Sequence, residues 1–95
     1  MNNEELQITL LNTAIYYILN PRFDGEEDNR EKNCENIIYK LLIEGIFTPD
    51  SIKEHITTET KKYRKPNKVR KSNVFEIADR AIKRYYNKVK GNDQK

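Results

Sequence analysis

Residues 36–56 read NIIYKLLIEGIFTPDSIKEHI and carry the signals for two helices joined by a short turn. Apolar side chains before its glycine recur at the spacing of one helix face and predict a helix over residues 29–44. They are Cys34, Ile37, Ile38, Leu41 and Leu42. Gly45 ends that helix, because a left-handed closing residue costs glycine little. Thr48 then caps a second helix that starts at Pro49. Since so short a linker makes the two helices lie at an angle, the pattern predicts a helix-turn-helix.

The segment before this unit predicts a helix over Asn3–Leu19 with an unusually broad apolar face. Its apolar residues are Leu6, Ile8, Leu10, Leu11, Ala14, Ile15, Tyr17, Ile18 and Leu19. At about 100° per residue they cover about 220°, roughly twice the face of a one-sided surface helix. Such a helix is covered on two sides. It is therefore either the central helix of the domain or part of a homodimer, and we favour the homodimer.

The helix after the turn, predicted from Pro49 to about Lys62, has only a thin apolar line through Ile52 and Ile56. A helix so weakly amphipathic docks by one edge and presents its other side chains to solvent or to a ligand. The side chains on it that suit nucleic acid are Lys53, Thr57, Thr58, Lys61 and Lys62.

Residues 61–71 read KKYRKPNKVRK and hold seven Lys or Arg and no acid. Pro66 and Asn67 suit a turn, so the flanks 63–65 and 68–70 would pair as a short hairpin. A disordered basic loop is the alternative, and the sequence leaves both interpretations open.

A last helix is predicted from a cap at Ser72 or Asn73, with Asn73 and Glu76 at the spacing of a capping box. Its apolar ladder is Val74, Ile77, Ala78, Ala81, Ile82, Tyr85 and Val89. The opposite face carries Arg80, Lys83, Arg84 and Lys88. From Gly91 onward the composition predicts a polar tail.

The order helix, helix, short turn, helix, basic hairpin-like segment, helix resembles a winged helix-turn-helix DNA-binding domain, with residues 36–56 carrying the resemblance. The resemblance implies one mainly α domain over residues 1–90, with about four helices and a short β-hairpin wing near residues 63–71. It also implies that the third helix enters the major groove while residues 64–71 contact the backbone or the minor groove. The turn is about one residue longer than is usual in that family, and a helix replaces the strand-rich ending.

Charge along the chain is strongly polarised. Residues 1–47 carry nine acids and four bases, whereas residues 48–95 carry six acids and fourteen bases. Such an asymmetry indicates a nucleic acid or another anionic partner, because each Lys or Arg at a phosphate releases a counterion. The predicted DNA-binding residues are Lys53, Thr57, Thr58, Lys61, Lys62, Arg64, Lys65, Asn67, Lys68, Arg70 and Lys71. Asp50 and Glu54 argue against groove entry by the start of the third helix, since carboxylates repel phosphate.

The sequence lacks the residues that several classes of function require. Cys34 is the one cysteine, so there is no intrachain disulfide or cysteine-based metal site, which fits a reducing, cytoplasmic compartment. His55 is the one histidine and is expected to be a partly buried helix residue. The acids around residues 24–31 lack the spacing of a calcium loop. We therefore expect no enzyme, cofactor, metal, small-molecule substrate or membrane span.

Three hypotheses follow from these patterns. The first is a dimeric double-stranded DNA-binding protein of a plasmid or phage, acting as a transcriptional regulator or as an accessory factor in DNA processing such as conjugation. The second is a small protein-binding inhibitor of a host enzyme. The third is an RNA or membrane-surface binder.

Overall fold

The computed structural model describes residues 3–20, 27–63 and 68–93. These residues form four helices, which are α1 (Asn3–Leu19), α2 (Glu27–Ile43), α3 (Pro49–Thr60) and α4 (Lys68–Asp93), and they contain no strand. The mainly helical fold is thus confirmed for the described part of the chain, and the predicted bounds of the first helix are met at both ends.

The core lies between the four helices. α4 packs along α2, α1 packs on α2 and on the start of α4, and α3 docks mainly on α4. Every helix contributes fully buried side chains to one cluster, among them Leu11, Ile15, Ile38, Leu41, Ile52, Ile56, Ile77 and Ala81. Burial of this apolar surface, at roughly 25 cal/mol per Å², is the main stabilising contribution.

The link between α2 and α3 forms as its residues predict. Gly45 has a φ of 75°, and the Ile46 amide donates to the Leu41 carbonyl at 3.0 Å, as in a Schellman closure. At the other end of the link, the Thr48 side chain accepts a hydrogen bond from the Ser51 amide at 3.1 Å. The Ser51 hydroxyl accepts one from the Thr48 amide at 2.8 Å, which completes a capping box.

Gly45→Ala is expected to lower the free energy of unfolding by about 1 kcal/mol, because an alanine is strained at positive φ. No atom lies within 4 Å of a Cβ added at Gly45, so the cost comes from the backbone alone. Gly91→Ala is the matched control, since Gly91 lies in α4 and its added Cβ also meets nothing within 4 Å. There the change should be neutral or stabilising. Thermal unfolding followed by circular dichroism measures the stability of both variants. An equal loss of stability in the two would show that the cost does not come from the positive φ of Gly45.

α4 is where the sequence prediction fails. It begins at Lys68, so Ser72 and Asn73 lie inside the helix, and the predicted capping box with Glu76 is wrong. Residues 68–70, the second flank of the predicted hairpin, are helical, so the wing is not formed by the described residues. Residues 64–67 lie outside the described part of the chain. α4 also continues through Gly91 to Asp93, into the predicted tail.

The early start of α4 has a physical cause. Lys and Arg are good helix formers, so nothing local opposes an extra turn. Arg70 lies one turn before the buried Val74, and its guanidinium donates to the Ile18 carbonyl at the end of α1, at 3.4 Å. That contact to α1 favours helix over hairpin at residues 68–71.

Candidate nucleic-acid interface

One end of the bundle collects residues 61–63 and 68–71, which include five Lys or Arg, and we call it the basic end. α1 and α3 end here, and α2 and α4 begin here. The rings of Tyr16 and Tyr63 lie 6.0 Å apart, which joins the end of α1 to the residues after α3. A small cleft of about 30 Å³ is lined by Ile18, Arg30, Glu31, Arg70 and Asn73, which belong to α1, α2 and α4. Both described flanks of the basic tract therefore lie at one surface.

The first turn of α4 carries Lys68, Arg70 and Lys71 and no acid. The other three helices begin with acids, as Glu4 and Glu5 in α1, Glu27 and Asp28 in α2, and Asp50 in α3. A helix N-terminus carries a partial positive charge, so acids stabilise it and bases do the opposite, by up to about 1 kcal/mol each at low ionic strength. Among the described helices, α4 is therefore the one whose first turn carries bases and no acid.

Two of the described basic residues at this end already have partners within the protein. Arg70 is half-buried, and its bond to the Ile18 carbonyl satisfies one of the last carbonyls of α1, a helix without a base in its last turn. Lys62 pairs with the buried Glu59 at 2.9 Å, and this hydrogen bond raises the pKa of Lys62. Lys61 is exposed and Lys71 is half-buried.

The predicted residues on α3 divide into two groups. Lys53 pairs with Asp79 of α4 at 3.1 Å, toward the start of α3. The Thr57 hydroxyl donates to the Lys53 carbonyl at 2.9 Å, while Thr58 is exposed. Lys61 and Lys62 follow the end of α3 and lie at the basic end. The fold thus brings part of the predicted set together and leaves Lys53 apart.

The remaining predicted residues lie in or beside the undescribed segment. Arg64, Lys65 and Asn67 lie outside the described residues, and of Lys68 only the helical backbone is described. Asp50 lies at the start of α3, about 16 Å by helix rise from Lys61. Asp50 is therefore at the opposite end of α3 from the basic end, and Glu54 lies near the middle of the helix.

A second set of bases is paired with acids at the surface, between α2 and α4. Glu35 of α2 accepts from Arg80 Nε at 2.9 Å and from Arg84 Nη1 at 2.8 Å, and Glu31 also pairs with Arg80 at 3.4 Å. The Arg84 guanidinium lies 4.3 Å from the centre of the Tyr39 ring. The apolar ladder of the last helix predicts an outer position for both arginines, which are 49% and 42% exposed, but nothing in the sequence marks this pairing. Part of the charge asymmetry between the two half-chains is therefore neutralised across the α2–α4 interface.

The single histidine and the single cysteine are structural. His55 Nε2 lies 2.7 Å from Asn12 Oδ1, and the His55 ring packs 5.1 Å from that of Phe47. Burial lowers the pKa of His55, so the ring links α3 to α1 as a neutral group, in keeping with the expected partly buried position. Burial raises the pKa of the Cys34 thiol to about 12, so it is not a thiolate at neutral pH.

Among the described residues no cluster of three or more His, Cys, Asp or Glu is arranged to hold a metal ion. None of the described helices combines the length and the apolar character that crossing a bilayer requires. Comparison with protein-family models, with curated proteins and with solved structures finds no match to this chain. The chemistry of the basic end is therefore the guide to function.

Proposed function

We propose that this protein binds double-stranded DNA through its basic end. The observation that carries the proposal is the first turn of α4, where three bases stand at a helix N-terminus without an acid. Bases at the positive end of a helix repel one another, and an approaching anion relieves that repulsion. A phosphate would also accept hydrogen bonds from backbone amides of a helix N-terminus.

The geometry favours a grip on the DNA backbone. Residues 61–71 supply seven Lys or Arg, and the two helix ends that flank the tract lie on one surface. Lysines on flexible stems contact phosphates more readily than base edges, so affinity would be high relative to specificity. A semi-specific binder of this kind suits an accessory factor in DNA processing or a regulator, on a plasmid or phage.

The approach of α3 to DNA differs from that of an ordinary recognition helix. Its N-terminal turn is acidic, with Asp50 in the first turn and Glu54 exposed in the next. The C-terminal end of α3, with Thr58 and Lys61, would instead approach the duplex together with the start of α4. Thr58 is then the α3 side chain best placed to contact a base edge or a thymine methyl group.

The experiment is fluorescence anisotropy of the protein with a random duplex of about 25 base pairs, over a series of salt concentrations. If about five phosphates are neutralised, the logarithm of the binding constant should fall with the logarithm of salt at a slope of about −4.5. An RNA duplex of the same length is the comparison ligand. Absence of binding at low salt would overturn the proposal in favour of a protein partner, and a clear preference for RNA would replace DNA as the ligand.

A further inference from the structure

α1 buries only part of its apolar face in the bundle. Leu11, Ala14, Ile15 and Ile18 are buried in the core, whereas Leu6, Leu10 and Tyr17 are 48%, 50% and 38% exposed. With the exposed Thr13, these three form a stripe at positions 6, 10, 13 and 17, which we call the α1 stripe. At about 100° per residue the α1 stripe lies about 120° around the helix from the buried face.

The α1 stripe differs from an ordinary solvent-exposed helix face in its charge. The chain is 35% charged, yet no residue between Glu5 and Arg22 carries a charge. Charged residues are depleted at the centres of protein interfaces and enriched on surfaces that remain in water. A charge-free exposed face in so highly charged a chain therefore indicates a surface that becomes covered by protein.

The two threonine hydroxyls on and beside this face already have hydrogen-bond partners. The Thr9 hydroxyl donates to the Glu5 carbonyl at 2.9 Å, and the Thr13 hydroxyl donates to the Thr9 carbonyl at 3.0 Å. Their methyl groups are then left for contact with a partner, and burying them leaves no unpaired donor. The α1 stripe can therefore pack against another helix without burying an unpaired threonine hydroxyl.

We infer that the occupant of the α1 stripe is the α1 helix of a second copy of this chain, packed antiparallel. Spacings of four, three and four residues are those of a helical seam that packs against a similar seam at a shallow angle. A two-fold axis near the middle of the stripe pairs it with itself, with Leu6 opposite Tyr17 of the second copy.

Charge complementarity selects the antiparallel direction. Glu4 and Glu5 occupy the first turn of α1, whereas its last turn lies at the basic end, beside Tyr63 and Arg70. An antiparallel pair sets the acids of one copy beside the basic end of the other, and it also opposes the two helix dipoles. A parallel pair would set acids against acids and bases against bases. The contact is made by α1, the basic end sets its direction, and the dimer does not require DNA binding.

Sedimentation velocity of the purified protein, from about 1 to about 300 µM, covers the range expected for a narrow interface. We expect a reversible dimer. Leu6→Lys/Leu10→Lys should raise its dissociation constant at least about 100-fold, because it places four unpaired charges in one contact. The matched control is Ile43→Lys/Val89→Lys, which changes two exposed apolar residues of α2 and α4 and should dimerise as the parent does. A parent that stays monomeric throughout, or equal loss in both variants, would overturn the proposal.

Orientation is tested by disulfide cross-linking. Leu6→Cys and Tyr17→Cys proteins, mixed and mildly oxidised, should cross-link with each other and not with themselves. In the antiparallel pair, identical positions lie about 16 Å apart along the helix, beyond the Cα separation of about 7 Å that a disulfide tolerates. Cys34 is fully buried and does not compete. Cross-linking of each variant with itself, without cross-linking in the mixture, would show a parallel pair and refute the antiparallel arrangement.

Discussion

Alanine in place of Lys61, Lys65, Lys68 and Lys71 is expected to weaken binding to a DNA duplex at least about 100-fold at near-physiological salt. Each phosphate contact that is lost should make the salt slope shallower by about 0.9, so a slope near −4.5 becomes one near −1. Arg70 is left in place because its bond to the Ile18 carbonyl joins α4 to α1. Removing bases from the N-terminal turn of α4, in favour of the best helix former, should not lower the melting temperature.

The matched control for this variant removes the same charge elsewhere. Lys40, Lys83, Lys88 and Lys90 are exposed residues of α2 and α4 outside the basic end. Their replacement by alanine should change the affinity by less than about fivefold, since exposed charges more than about 10 Å from a phosphate are largely screened. Equal losses of DNA affinity in the two four-lysine variants would mean that net charge drives binding. The assignment of the basic end as the DNA-binding surface would then be wrong.

Glu35→Lys is expected to lower the free energy of unfolding by about 1–2 kcal/mol and the melting temperature by roughly 5–15 °C. The change removes the carboxylate that holds Arg80 and Arg84 and adds a third positive charge beside them. Only 19% of the Glu35 side chain is exposed, so solvent screens this repulsion incompletely. Glu54→Lys, an identical charge reversal on an exposed side chain of α3, should shift the free energy by less than about 0.5 kcal/mol.

The dependence of stability on pH checks the same network. Burial alone would raise the pKa of Glu35, but the hydrogen bonds from Arg80 and Arg84 outweigh burial and hold this pKa below its ordinary value of 4.5. The ionised Glu35 carboxylate therefore contributes fully to the free energy of unfolding above about pH 4.5. This contribution is lost as the pH falls through the lowered pKa. Glu35→Gln should be less stable than the parent at pH 7, and the difference should shrink below pH 4.5. A constant difference across this range would exclude the carboxylate as its source.

Much of the fold follows from local signals in the sequence. The bounds of α1, the closure at Gly45 and the cap at Thr48 each depend on residues within one or two turns, where propensity and capping act directly. The separation of acids and bases into the two half-chains is likewise a property of sequence. These signals need no knowledge of distant contacts, and so they were predicted correctly.

Contacts between distant residues account for what the sequence did not predict. Asn73 and Glu76 have the spacing of a capping box, yet α4 starts at Lys68, where Arg70 binds a carbonyl 52 residues away. Glu35 finds its partners 45 and 49 residues along the chain, so no periodicity marks it. Rules based on neighbouring residues therefore assign Asn73 and Glu76 to a helix cap and Glu35 to a solvated face.

At the candidate site, local sequence accounts for the charge of residues 61–71 and for the existence of four helical segments. The packing of those helices sets which bases are paired with acids, that Arg70 bonds to the end of α1, and which part of the apolar face of α1 remains exposed. The physical reason is that helix propensity and net charge are set by neighbouring residues, whereas burial and ion pairing are set by whichever helix packs alongside.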